Sequence, residues 1–220
     1  MDKNIEVRNL KFCQDEAGTL GSVGSVTELY WLKGDKGLWD GPLMDWRNES
    51  HLWMKDVRLF DTVLQAGGAC GMYARFYSDY FNHVISFEPD LNNYNILKMN
   101  CQGDQYSLNF GGLGNHNSHN KKYKLNKSHY SNLGMHTISD IPGEVPMFAI
   151  DFLNLTSLDL LHLDCEGYEE NILKGGRETI NHFNPVIIVE RNKGGNLLSS
   201  WGYKCTGHLR MDSVWVKKIK

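Results

Sequence analysis

Asp164, Glu166 and Glu190 are the residues of this chain best placed to do chemistry. Asp164 follows the apolar run LDLLHL and Glu190 follows PVIIV, so each carboxylate closes a strand-like segment. A carboxylate in such a place caps a turn by accepting backbone N–H groups, or it acts on a ligand at the sheet edge. In the second role it takes a proton from an attacking hydroxyl or balances a cation. Asp164 is the first candidate for a catalytic base and Glu166 the second. Glu169 and Glu170 fall in the first turn of the next helix, where carboxylates oppose the helix dipole, and Glu169 is expected to be structural. A further acid, Glu88, ends the run HVISF. It lies about 20 residues past a glycine turn, where a ribose-binding acid is expected.

These acids need a scaffold, and residues 61–90 (DTVLQAGGACGMYARFYSDYFNHVISFEPD) supply one. Val63, Leu64 and Ala66 form an apolar run that ends in Gly67-Gly68. Gly71 then opens MYARFYSDYF, whose apolar positions recur at helical spacing. The segment reads as strand 61–66, helix 71–81 and strand 83–87. A right-handed crossover places the glycine turn and Glu88 on the same carboxyl edge of the sheet. The turn spacing is G-x-x-x-G. It lacks the second glycine of the dinucleotide fingerprint, and no Lys follows as in a P-loop. A turn that fails for phosphates yet keeps the ribose acid suits an adenosine ligand without phosphate, of which S-adenosylmethionine (SAM) is the common one.

From about Phe60 to Glu190, and weakly beyond, the chain resembles the FkbM-type SAM-dependent methyltransferases. The resemblance rests on Gln65-Ala66-Gly67-Gly68-Ala69-Cys70-Gly71, Phe87-Glu88-Pro89, Asp164-Cys165-Glu166-Gly167-Tyr168-Glu169, and Glu190. It departs from the family pattern at Gln65, usually Asp, and at Ala69, often Asn. It implies a Rossmann-like class I methyltransferase of the α/β class, with a mostly parallel central sheet, a C-terminal antiparallel hairpin and helices on both faces. It also implies SAM as cofactor. The expected contacts are Gln65, Gly67, Gly68, Ala69, Gly71, Met72, Tyr73, Glu88, Pro89 and Asp90, with Gly112, Leu113 and Gly114 approaching the adenine. Gln65 offers no charge to the cofactor's ammonium, so Gln65→Asp is expected to tighten binding by up to about tenfold.

Further elements read as helix 91–100, strands 105–111, 145–150, 158–163 and 185–189, a helix after Glu169 ended by Gly175-Gly176, a helix 196–201, and strands 203–209 and 213–217. Asp151 caps a short turn. Residues 1–59 read as an N-terminal cap, and 60–220 as the methyltransferase domain. Trp31, Trp39, Trp46 and Trp53 are expected to pack on the core's exposed edge, with a lid or acceptor wall as the functional alternative. Asn48-Glu49-Ser50 opens a short helix toward Val57. The polar stretch 112–132, basic at Lys121, Lys122, Lys124 and Lys127, reads as a solvated hairpin. His116 and His119 lack neighbouring carboxylates or cysteines, and no metal is expected.

The 220 residues suit one domain. A net charge of −3 and a pI near 6.3 give no basic footprint for nucleic acid. The N-terminal run carries no apolar signal core and no stretch reaches membrane-spanning length. Five scattered cysteines without a C-x-x-C pair fit reduced thiols in the cytoplasm. The expected activity is O-methylation of a small hydroxylated acceptor such as a sugar, with neither nucleic acid nor membrane as partner and a homodimer allowed. The alternatives are a non-catalytic SAM-fold binding module, an NAD-dependent oxidoreductase and a nucleic-acid methyltransferase.

Overall fold

The computed structural model describes residues 4–8, 28–35, 49–115, 118–127, 132 and 134–217. Trp39, Trp46, Asn48 and His116 lie outside them, as do the side chains of His119 and Lys121.

The centre of the molecule is a seven-stranded sheet. Its strands are β3 (Thr62–Ala66), β4 (His83–Glu88), β5 (Tyr106–Phe110), β10 (Leu160–Leu163), β11 (Val186–Val189), β12 (Lys204–Leu209) and β13 (Asp212–Val216). They lie in the order β12-β13-β11-β10-β3-β4-β5. The five strands from β5 to β11 run parallel, and β13 joins β11 and β12 antiparallel. This is a Rossmann-like sheet with an antiparallel C-terminal hairpin, as expected. The central strands TVLQA, LLHL and VIIV are buried at every position, which is why they read as continuous apolar runs instead of alternating ones.

The pleat divides these runs between two cores. Val63, Val84, Leu160, Ile188 and Val214 point into one. Leu64, Ile85, Leu161, Ile187 and Trp215 point into the other. The first core is closed by α1 (His51–Met54), α2 (Met72–Tyr77) and α3 (Leu91–Asn100). A two-stranded ribbon, β1 (Ile5–Arg8) with β2 (Leu29–Leu32), adds Leu29 and Trp31. Trp31 and Trp53 are 1% and 0% exposed. Trp53 stacks on Phe81 at 6.2 Å and meets Tyr77 edge-on at 6.0 Å. They sit within the first core itself, deeper than the edge packing expected of them.

The second core is closed by α4 (Glu169–Gly175), α5 (Arg177–Phe183), α6 (Gly195–Ser200) and a small second sheet. That sheet is built from β6 (Gly112–Leu113), β7 (Ser118–Asn126), β8 (Thr137–Pro142) and β9 (Val145–Phe148), in the order β6-β9-β7-β8. It forms most of the crossover from edge strand β5 to central strand β10. Among the described residues, Leu113, Val145 and Met147 are its buried hydrophobic side chains.

Several boundaries differ from the sequence reading. α2 ends at Tyr77, because the amides of Tyr80 and Phe81 turn back onto the Tyr77 carbonyl. The strand expected over 145–150 stops at Phe148 and becomes a 3₁₀ turn over Ile150–Phe152. α5 was not foreseen. Its first turn is capped from a distance: the Asp151 carboxylate accepts from the Thr179 amide at 2.8 Å and the Glu178 amide at 3.3 Å.

Candidate active site

A cavity opens at the carboxyl edge of the central sheet, where β3, β4 and β10 end side by side. Ala66, Gly67 and Phe87 line it from the strand ends. Glu88, Pro89 and Asn93 line it on the β4–α3 side, and Gly112 and Leu113 on β6. Asp164, Cys165, Tyr168 and Ile172 bound it on the β10–α4 side. Gly134, His136 and Ile138 close over it from the start of β8.

Of the expected cofactor contacts, Gly67, Glu88, Pro89, Gly112 and Leu113 therefore meet in one cavity. The turn is drawn in tightly, with the amides of Gly67 and Gly68 both donating to the Phe87 carbonyl at 3.0 and 2.9 Å. Gly67 has φ 87°, and a Cβ there would overlap the Asp164 carbonyl oxygen. Glycine at 67 is what lets the ends of β3 and β10 touch.

Glu88 is 4% exposed. Its Oε2 accepts from the Ala69 amide at 2.7 Å and its Oε1 from the Asp90 amide at 2.8 Å. Burial outweighs those bonds and pushes its pKa from 4.5 up to about 7. Ala69 presents its N–H from a left-handed conformation, φ 42°. Asn or Gly tolerates that region where Ala does not. Ala69→Gly is expected to raise stability by about 0.5–1 kcal/mol without disturbing Glu88, read as a higher melting temperature; a lower one would mean the methyl group is packed.

The other expected contacts do not line the cavity. Gln65 is fully buried below the turn, donating to the Gly67 carbonyl at 3.1 Å and accepting from Ser86 Oγ at 3.2 Å. Its amide braces the fold, so the first effect expected of Gln65→Asp is on stability. A carboxylate there would lose the donor and bury a charge, costing roughly 2 kcal/mol of folding stability. Chemical denaturation of the variant measures this, and an unchanged midpoint would refute it. Gly68 packs against Ser86 and Leu97, and Gly71 against Leu97 and Cys101. Met72 enters the first core, and Tyr73 lies edge-on to His162 at 5.2 Å. Gly114 packs on Tyr168 and on Gly175 of α4. Asp90 caps α3, with its Oδ1 accepting from the amides of Asn92 and Asn93 at 2.8 and 3.1 Å, while its Oδ2 pairs with Lys127 at 2.8 Å.

The acids on the opposite wall divide their roles. Glu169, 0% exposed, holds the turn: its Oε1 accepts from the amides of Cys165 and Gly167 at 3.0 and 3.1 Å. No described residue donates a hydrogen bond to the Asp164 carboxylate. Asp164, Glu166 and Glu190 bring one carboxylate oxygen each within 4.8 Å of the others. Burial first, and then the charges of Asp212, Glu190, Glu166 and Glu169, hold the Asp164 pKa well above the usual carboxylate range. Glu166 is raised too, by burial first and then by Glu190 and Glu169, against the pull of Lys193 and Arg191. It stands in the left-handed region at φ 50° and lies outside the cavity lining. Glu190 is partly neutralised by Lys193 at 2.6 Å and Arg191 at 3.2 Å.

Asn93, His136, Ile138 and Ile172 also line the cavity without having been singled out from the sequence, and Cys165 and Tyr168 line it without having been given a role there. Tyr168 lay inside the D-x-E-G-x-E block as an unassigned position. Its hydroxyl donates to Asp140 Oδ1 on β8 at 2.6 Å. Nothing in the sequence marked His136, because what brings it to the cavity is the pairing of β7 with β8.

Residues 68–201, more than half of the chain, match the family model described as the methyltransferase FkbM domain. No curated protein sequence matches the chain. Among solved structures, an FkbM methyltransferase from Methylobacillus flagellatus is 13% identical with a TM-score of 0.48, over 79% of this chain and 52% of that one. The chain thus spans about half the length of that protein. A precorrin-8W decarboxylase from Methanobacterium thermoautotrophicum is 12% identical with a TM-score of 0.48, over 80% and 90% of the two chains. The N-terminal domain of human METTL16, solved with SAH, is 10% identical with a TM-score of 0.45, over 84% and 72%.

Proposed function

We propose that this chain, which belongs to the FkbM methyltransferase family, methylates a hydroxyl group of a small acceptor such as a sugar. SAM is the family's cofactor, and it supplies an electrophilic methyl group on a sulfonium. The residues present suit it. Apolar walls from Ala66, Phe87 and Leu113 flank Glu88, a buried acid at the ribose position. Asp164 bounds the cavity with Glu166 and Glu190 clustered behind it, and their negative charge favours a cation. The described residues of the N-terminal cap, 4–8, 28–35 and 49–59, belong in this reading to the same folding unit, since Trp31 and Trp53 are part of its first core.

The observation that carries the reading is Asp164. It bounds the same cavity as Glu88, its carboxylate is not engaged by any described donor, and burial with its acidic neighbours raises its basicity. Methyl transfer to a hydroxyl needs such a group, because the oxygen must lose its proton as the new bond forms. The rest of the site contributes by holding acceptor and donor at attack distance. Glu166 stands beside Asp164 as a second base or as a counter-charge.

Among the described residues no helix is long and apolar enough to cross a membrane. Of the basic segment, Lys127 is committed to Asp90, which leaves less cationic surface for a nucleic-acid backbone and favours a small acceptor. The test has two stages. Calorimetric titration with SAM, S-adenosylhomocysteine (SAH) and NAD should give binding for the first two alone. A screen of hydroxylated sugars and small acids with methyl-labelled SAM should then yield a labelled product whose methyl sits on oxygen. Binding of NAD in place of SAH, or label on nitrogen, would overturn the reading.

A further inference from the structure

The ring of His136 is the least satisfied polar group at the cavity. Its side chain is 6% exposed, and neither Nδ1 nor Nε2 has a hydrogen-bond partner among the described residues. Buried polar groups are nearly always paired, so an orphaned imbalance at a cavity wall calls for a partner that arrives with a ligand. Burial lowers the His136 pKa, against the pull of Asp90 and Asp35 and together with the push of Lys127. The neutral ring then offers one N–H donor and one lone pair.

The ring also has a charged neighbour. Its Nδ1 lies 3.6 Å from Asp90 Oδ2, too far for a hydrogen bond but close enough to favour the proton on that nitrogen. Nε2 is then the acceptor. The β7–β8 hairpin that carries it is tied down at two places. Lys127 grips Asp90 at 2.8 Å beside the start of α3, and Asp140 accepts from Tyr168 at 2.6 Å beside α4. His136 lines the cavity between these anchors, together with Glu88, Pro89 and Asn93.

We propose that His136 is a binding residue for the nucleoside half of the cofactor, accepting a hydrogen bond from a ribose hydroxyl or the exocyclic amine. This rests on the SAM reading above. The second sheet is then more than a crossover: it completes the adenosine site from above, and Asp90 orients the imidazole in place of contacting the ligand.

Binding measurements separate the two claims. Wild-type protein titrated with SAH and with 5′-methylthioadenosine, which lacks the amino-acid portion, should bind both. Failure of wild type to bind either would overturn the SAM reading before any variant is made. Given binding, His136→Ala should weaken both ligands by about tenfold, with the melting temperature of the free protein little changed. His136→Gln, which keeps an acceptor, should recover part of the loss. Nitrogen-15 NMR of the imidazoles in the wild type should show the His136 ring shifting on saturation with SAH. Equal affinity of His136→Ala and wild type for both ligands sinks the proposal. If the variant fails to fold, a His136 resonance that does not move with SAH sinks it equally.

Discussion

Asp164→Asn should lower turnover by about 10²–10⁴, the usual weight of a general base, while leaving the fold and SAH binding in place. The competing account, that Asp164 caps the turn after β10, is met by Glu169, which accepts the two amides of that turn. Losing the Asp164 charge therefore removes no cap and relieves repulsion from Asp212, Glu190 and Glu166. The pH profile carries a second signature. With its pKa held well above the usual carboxylate range, Asp164 must lose its proton to act, so the wild-type rate should rise with pH through one ionisation above that range. That limb should be missing in the variant. The raised pKa also means that wild type loses stability as pH rises through this ionisation, and the Asn variant should not. Near-normal turnover of Asp164→Asn on a genuine acceptor would take Asp164 out of the mechanism, and Glu166→Gln would then be the variant to assay. Outright unfolding of Asp164→Asn would point to a structural role.

Substitution of Glu88 should separate binding from folding. Glu88→Ala is expected to weaken SAH binding by roughly 2–4 kcal/mol if the ribose sits as proposed, since it deletes the buried acid that lines the cavity beside Pro89 and Asn93. The folding effect runs the other way with pH. Between 4.5 and about 7 the folded protein keeps a proton on Glu88 that the unfolded chain has released. Stability is therefore lost as pH rises through that window, by about 3 kcal/mol in all. Glu88→Gln cannot titrate, so the stability difference between wild type and Glu88→Gln should drift against wild type across the same window and level off above it. SAH affinity in the wild type should rise as pH passes about 7, because the carboxylate is the better acceptor for ribose hydroxyls. A flat difference profile would show that the two backbone N–H groups stabilise the charged form as much as burial penalises it. Unchanged SAH affinity in folded Glu88→Ala would place the adenosine elsewhere.

The sequence by itself determined the central sheet and the acids at its edge. Runs such as TVLQA, LLHL and VIIV declare themselves because a parallel strand buried on both faces has no room for polar alternation. Gly67 was legible because a strand-to-helix turn pressed against Asp164 tolerates no Cβ, and Glu88 because its distance from that turn is set by one crossover. Only the tertiary structure decided where the remaining groups went. Gln65 and Asp90 carry the right chemistry at the right spacing, yet Gln65 points beneath the turn to Ser86, and Asp90 is divided between the α3 cap and Lys127. Which face of a strand end meets the ligand depends on neighbours the local sequence does not name. α5 takes its cap from Asp151, 27 residues from Glu178 along the chain, and no local pattern announces such a cap. His136 reaches the cavity because β8 pairs with β7, and β7 with β9. Registers between strands separated by polar loops are set by side chains that meet only after folding, and so the roof of this site was decided there.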